Sequence, residues 1–428
     1  MLDKRIIETT KNVKLEVGKV EKHDANPLFG EEKAWEMRID NLYGNIIFDQ
    51  EEHMYKCWYS PFIVDYAAHG MTLEERAVPY REHPEREMGI CYATSKDGIN
   101  WEKPVLELVE YNGSKGNNIV WRGPHGAGVM KDLSENDPAK RYKVIFQGMA
   151  IGFSADGIHW SEKRKVKGVK VAGDTHNNAI WAPTLNKYIG ITRTWGPKFG
   201  REVARIESDN FIDWTREEVV LHGTTKDLQT YSMPIFYYKQ VYLGLLTIYQ
   251  QSTDRVWTEL TWSPDTRNWY RIDEGTPIIP NSEKKLDYDY GCVYACASPV
   301  FLDDKIMLYY GGSDWLHSGW RNGFLCLATL RPDGFAGYVQ ENKNQKGVIA
   351  TKLFKYKGGG LKLTADVEKG GSIHVSLLNS DGEQIAACES ITNSITDEYL
   401  KFDKEIKEEN ISLKIEIIQA KVYSFGIE

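Results

Sequence analysis

The sequence predicts an all-β chain: a five-bladed β-propeller followed by a C-terminal β-sandwich. A box of the form Ser-x-Asp-Gly-x-x-Trp at Ser95–Trp101 recurs at Ser154–Trp160 and, more loosely, at Ser208–Trp214 and Ser263–Trp269, with the tryptophans 59, 54 and 55 residues apart. Each interval holds several alternating apolar runs, and a period of about 50 to 60 residues matches four strands per blade in units too small to bury their own faces. The third observation is aromatic content: 13 Trp and 24 Tyr in 428 residues suit large β packing surfaces or sugar-stacking platforms.

Taken in order, residues before Asn26 read as an N-terminal strand or arm that caps the ring, and Gly44–Phe48 and Met54–Tyr59 open the first blade. The second reads as Asn118–Lys131, Tyr142–Gln147, Ala150–Ser154 and Trp160 onward, with Asp156-Gly157 as the tight turn. The third and fourth units repeat this layout. A fifth runs through Ala297–Leu302, Lys305–Tyr310 and Leu325–Thr329, with Asp333-Gly334-Phe335 in the turn slot. After Tyr338 the repeat stops, and Gly358–Gly360 introduces alternating runs at Leu361–Leu363, Ser372–Leu377 and Ile411–Ile417, joined in part by the turn Ser380-Asp381-Gly382. The expected domains are therefore a propeller with its arm over 1–338 and a sandwich over 339–428.

Fifty-three basic against 61 acidic side chains give a net charge of −8, the wrong sign for a phosphate-binding groove, so nucleic acid is not an expected partner. No 18-residue apolar run is present to span a membrane, and Met1-Leu2-Asp3-Lys4-Arg5 does not open a signal segment, so a cytoplasmic location is expected. The six cysteines sit mostly in apolar runs and read as free thiols. Cys292 and Cys296 lack the companions that a zinc site requires, so neither metal nor cofactor is expected. His125 and His176 facing the axis would accept a divalent cation, although hydrogen bonding to sugar hydroxyls is the plainer role.

A propeller gathers its blades around one axial funnel, lined by residues that precede the innermost strands and by the loops between second and third strands. The boxes fall on the opposite face, where Asp97 and Asp156 should fold back onto their own turns. The funnel list is Glu36, Arg38 and Asp40, then His125, then Asp174 and His176, then Asp227 and Tyr231, then Asp289 and Tyr290. The loops add Arg193 and Trp195, Asp254 and Arg255, and Asp314, His317 and Arg321. Carboxylates among aromatic walls are what glycosidic cleavage needs, one to protonate the leaving oxygen and one to attack or to activate water. An insertion over Val64–Met88 overhangs this funnel as a lid, a binding loop or an oligomer contact.

The chain resembles the five-bladed propeller glycoside hydrolases of families 32 and 43 and the family 32 N-terminal-like proteins. The resemblance rests on Ala93–Pro104, Asp137–Lys143, Leu308–Asp314 and Arg331–Phe335, and a trailing β-sandwich is also a family 32 feature. It implies an essential Asp at the first blade, matched by Asp40. The second-blade Asp is replaced within Arg122-Gly123-Pro124, and the later acid Glu is replaced within Gly173-Asp174-Thr175-His176.

The expected activity is cleavage of a small oligosaccharide or glycoside by Asp40 and Asp174, with Glu36 or Asp227 as an alternative acid. His125, His176, Arg193, Trp195, Tyr231, Tyr290, Asp314, His317 and Arg321 are the expected substrate binders. The rival readings are a glycoside phosphorylase with an anion site at Arg38, Arg193 and Arg321, and a carbohydrate-binding propeller without catalysis. Sequence leaves the oligomeric state open.

Overall fold

The computed structural model describes residues 3–427. The chain is nearly all β-strand and divides into two units, one of Val20–Arg271 with Ile279–Thr329 and another of residues through Lys19, Ile272–Ile278 and those from Leu330 on. Among the described residues, no helix is long and apolar enough to cross a membrane.

The strands of the larger unit form two sheets of four strands, one of six and one of ten, and follow one another in chain order as antiparallel arrays. The first is Asn45–Asp49, Met54–Tyr59, Glu87–Ser95 and Trp101–Glu102; the second is Gly128–Lys131, Tyr142–Phe146, Ala150–Ser154 and Arg164–Lys165. The third is Asn178–Ala182, Lys187–Gly196, Gly200–Ser208 and Glu218–His222. In the fourth, Val241–Gln250 takes Leu228–Ser232 and Ile235–Tyr238 on one side and Arg255–Ser263 on the other, with Tyr270–Ile272 outermost. The fifth joins Cys292–Ala295 and Val300–Phe301 to Ile306–Ser313 and Gly323–Leu330, and its outer strand is Glu21–Lys22 from the N-terminal end.

Middle strands such as Val241–Gln250 are apolar without alternation because neighbouring arrays cover both of their faces. Trp58, Ile90 and Tyr92 of the first array pack with Val129, Tyr142 and Val144 of the second. Equivalent cores join the second to the third, the third to the fourth, and the fifth back to the first.

The repeated boxes are local turns that also latch arrays together. Ser95 Oγ accepts from the Gly98 amide, and Asp97 Oδ1 accepts from the amides of Ile99 and Asn100 at 2.8 Å. The same pattern holds at Ser154/Asp156 and Ser263/Asp265, and at Ser208/Asn210 the Asn210 side chain accepts from the same two amides. Trp58 Nε1 of the first array then donates to the Gly157 carbonyl, and Tyr309 Oη of the fifth donates to the Gly98 carbonyl.

Several boundaries differ from expectation. The run Asn118–Lys131 is two strands, because Gly123, at φ +90°, and Pro124 break it. Ile119–Arg122 pairs with Glu87–Ser95 of the first array, so only Gly128–Lys131 begins the second. Trp160 makes an isolated bridge to Ser154, and the fourth strand starts later, at Arg164. Residues through Lys19 fall with the C-terminal unit, where Ile7–Lys11 pairs with Gly347–Thr351 and Val13–Val17 with Ala336–Gln340. In that unit two 18-residue strands, Leu361–Leu378 and Asn410–Ile427, pair antiparallel within a nine-stranded sheet over a single apolar core. The turn at Asn379–Glu383, with Gly382 at φ +80°, lies where expected.

Candidate functional site

A cavity of about 690 Å³ in the larger unit is lined by Arg38, Asp40, Asn41, His125, Asp174, Tyr231, His317 and Arg321, together with Phe62, Tyr80, Glu82, Arg86, Met88, Gln147, Arg201 and Ser318. Two of its carboxylates, Asp40 and Asp174, stand on segments that enter first strands, and the third, Glu82, belongs to the insertion. Asp40 precedes Asn45–Asp49, and between them Leu42 and Tyr43 adopt φ +59° and +44°. Two consecutive left-handed residues bearing side chains cost about 1–3 kcal/mol each, and persist because the surroundings hold them. Asn41 Nδ2 donates to Tyr43 Oη at 2.7 Å and to Tyr231 Oη at 3.2 Å, while Asn41 Oδ1 accepts from Arg321 at 3.0 Å.

Asp40 sits between two guanidiniums, accepting from Arg321 Nη2 at 2.6 Å and from Arg38 Nη2 at 3.3 Å. Burial opposes its ionisation, but Arg321 and Arg38 outweigh burial and hold the carboxyl well below the usual carboxylate range. Asp174 precedes Asn178–Ala182 and is half exposed, with Oδ2 accepting from the buried Arg193 Nη2 at 2.7 Å. Beside it Gly173, at φ +62°, has no room for a side chain: a Cβ there would stand 2.7 Å from Met149 Sδ.

Two buried imidazoles complete the floor. Burial pushes His125 below the ordinary histidine range, against the pull of Asp40 and Asp174, and its Nδ1 has no protein partner. Burial and the charge of Arg321 hold His317 well below that range, with its Nδ1 hydrogen-bonded to Tyr294 Oη at 2.8 Å. Both rings are therefore neutral near pH 7 and serve as hydrogen-bonding groups.

The insertion supplies one wall. Its short helix Leu73–Arg76 is closed by a capping box between Thr72 and Glu75 and pinned by the buried Arg76, which reaches Asp314 Oδ1 at 2.8 Å. Beyond it Tyr80 lies over the Arg38 guanidinium at 4.0 Å, and Arg86 lies over the Phe62 ring at 3.8 Å.

Of the residues named from sequence, Arg38, Asp40, Asp174, His125, Tyr231, His317 and Arg321 line this cavity, and Arg193 stands behind Asp174. The others lie elsewhere. Glu36 is buried beneath, its oxygens taken by Tyr59 Oη, Lys103 Nζ and the amides of Glu32 and Lys33. Those donors hold Glu36 outside the cavity lining. Asp227 faces solvent and caps a turn through Ser252 N and Oγ. His176 is buried against Tyr43 with Nε2 on Asn45, and burial lowers its pKa to about 3. Trp195 is 62% exposed, and Tyr290 is stacked on Trp315 under Arg255. Asp314, bound by Arg76 and Asn322, belongs to a neighbouring hollow of about 540 Å³ that also contains Glu31. Among the described residues no group of three or more His, Cys, Asp or Glu is placed to hold a metal ion.

Sequence reasoning missed Arg201, Gln147 and Asn41. Arg201 is the second residue of its strand, past the loop itself, and its place flanking the Gly196–Gly200 hairpin is the sequence signal for it.

No family model and no curated protein matches this chain. Among solved structures it is similar to β-1,2-mannobiose phosphorylase from Listeria innocua in complex with β-1,2-mannobiose, at 14% identity over 73% of this chain and 96% of that chain, with a TM-score of 0.51. It is also similar to a glycosyl hydrolase from Bacteroides ovatus (13% identity, 74% and 94% of the two chains, TM-score 0.48) and to the α-L-arabinofuranosidase from Podospora anserina in complex with cellotriose (10%, 73% and 97%, 0.46). At these identities the likeness is one of fold.

Proposed function

We propose that the chain is a five-bladed β-propeller followed by a β-sandwich, and that its cavity cleaves the glycosidic bond of a small oligosaccharide or glycoside. The carrying observation is Asp40, kept ionised at the cavity floor by Arg321 and Arg38 while sharing the cavity with Asp174. An Asp held this way does not donate a proton. Its work is to attack the anomeric carbon, to activate water, or to stabilise positive charge that develops on the sugar ring. Asp174, half exposed and with one oxygen on Arg193, is assigned as the second carboxylate at the scissile bond. Neutral His125 and His317, with Tyr231, orient the sugar hydroxyls. A cytoplasmic location would suit cleavage of short imported sugars.

A glycoside phosphorylase on the same fold is the second reading, favoured by the unpartnered nitrogens of Arg38. A screen of aryl glycosides and short oligosaccharides, with and without phosphate, finds the substrate and separates the two. On that substrate Asp40→Asn and Asp174→Asn should each lose at least ~100-fold in turnover while sugar still binds. Near-normal turnover by both variants removes the pair from the mechanism, and sugar binding without turnover under either condition leaves a lectin-like protein.

A further inference from the structure

The charge pairing around the cavity is incomplete. Arg321 is committed to Asp40, Arg193 to Asp174, and Arg86 to Glu82 at 2.6 Å with Asp65 at 3.7 Å. Arg38 has only the long contact to Asp40 and one of 3.5 Å to the Gly319 carbonyl, while its Nε and Nη1 have no protein partner although the residue is 4% exposed. Arg201 has no carboxylate within ion-pair distance among the described residues. Its Nη1 donates to Gln229 Oε1 at 2.8 Å, its Nε is unpartnered, and its guanidinium stands over Trp195, Tyr231 and Tyr249 at 4.8 to 5.1 Å. Asp254, which accepts from Tyr249 Oη, spends its oxygens there and on Ser318. Both arginines line the same cavity, together with His317.

A buried guanidinium without its counter-charge is costly, and a buried cationic N–H without an acceptor is an exception that calls for a ligand. A sugar hydroxyl can accept such a hydrogen bond but leaves the charge uncancelled. A carboxylate or phosphate does both, and matches the guanidinium donors.

We infer that Arg38 and Arg201 form an oxyanion subsite, so that the glycoside taken here is either itself anionic, through the carboxylate of a uronosyl unit, or accompanied by inorganic phosphate. This inference rests on the glycoside reading above and moves the anion site expected from sequence away from Arg193 and Arg321, which carboxylates already occupy.

The test is isothermal titration calorimetry of the full chain with glucuronate, glucose and inorganic phosphate, on wild type, Arg38→Met and Arg201→Met. Turnover of aryl glycosiduronates and neutral aryl glycosides is then measured with and without phosphate. Methionine keeps the unbranched apolar stem and removes the charge and the donors; the half-buried Arg201 keeps the test open if Arg38→Met fails to fold. Glucuronate or phosphate should bind wild type more tightly than glucose does, and roughly tenfold or more weakly in each variant. Phosphate-independent turnover of glycosiduronates assigns the anion to the substrate, and phosphate-dependent turnover of neutral glycosides assigns it to phosphate. Anion binding lost in the variants, with no glycoside turned over, upholds the subsite and removes the glycoside reading. Phosphate-independent turnover of neutral glycosides that Arg201→Met leaves unchanged, or anions binding no better than glucose, overturns the subsite.

Discussion

Replacing Glu31 by Gln should stabilise the protein above neutral pH and change little in acid. Glu31 Oε1 accepts from the amides of Ile39 at 2.7 Å and Gly323 at 3.0 Å, in the hollow lined by Phe29, Leu286 and Phe324. Burial raises its pKa from 4.5 to about 8, with repulsion from Asp314 adding to burial and the two amides opposing it. Below pH 4.5 the carboxyl is protonated in folded and unfolded chains alike, and nothing is lost. Between 4.5 and 8 the unfolded chain releases a proton that the folded one retains, so stability falls as pH rises, and above about 8 the full loss is present. At ~1.4 kcal/mol per pKa unit the ceiling is about 5 kcal/mol. Water entering the open hollow screens the charge and brings the expected loss to about 2 kcal/mol. Glutamine reproduces the neutral acid, with one acceptor for the two amides and a donor in place of the hydroxyl. Urea unfolding of both proteins at pH 5, 7 and 9 should give a stability difference near zero at pH 5, growing to about 2 kcal/mol in the variant's favour at pH 9. A difference that does not change with pH, or a variant less stable throughout, refutes the reasoning.

Asp40→Asn should cost about 3 kcal/mol in urea unfolding by leaving the fully buried Arg321 without its counter-charge, and Asp40→Asn combined with Arg321→Met should recover part of that loss; independent, additive effects would mean that the pair is not coupled. Trp101 and Trp160 are half-buried, packed on Tyr309 and Trp121 respectively, so their alanine variants should lose about 3 kcal/mol without loss of sugar binding, whereas Trp269→Ala, buried with Nε1 on the Thr266 carbonyl, should lose more. Lost sugar affinity in a Trp101→Ala variant of unchanged melting temperature would place that box on the wrong face. Exchanging residues 77–85 for a short Gly-Ser linker keeps the Arg76–Asp314 pair and removes Tyr80 and Glu82 from the cavity wall, so substrate affinity should fall with the fold intact. A change of oligomer size with unchanged kinetics would make the segment an interface.

What the sequence determined by itself is what forms between near neighbours. The boxes were legible because Asp97 and Asp156 bind amides two and three residues away, and the same closure recurs at Asn210 and Asp265 whatever surrounds it. The segments that enter the cavity were legible too, since the repeat fixes which residues precede a first strand. The tertiary structure alone decided which of those residues face the cavity. Glu36 and Asp40 are four positions apart, yet one is taken by Tyr59 and Lys103 and the other by Arg321, 281 residues away. Asp174 and Asp227 hold corresponding places in consecutive repeats, and differ because Arg193 meets the first while Ser252 meets the second. Arg201 is marked in the sequence only by its place beside the Gly196–Gly200 hairpin, and that it has no carboxylate opposite among the described residues is visible only in the tertiary structure. An ion pair across the fold is set by which chain segments pack together, and a charge is left open or closed only after every other segment has taken its place.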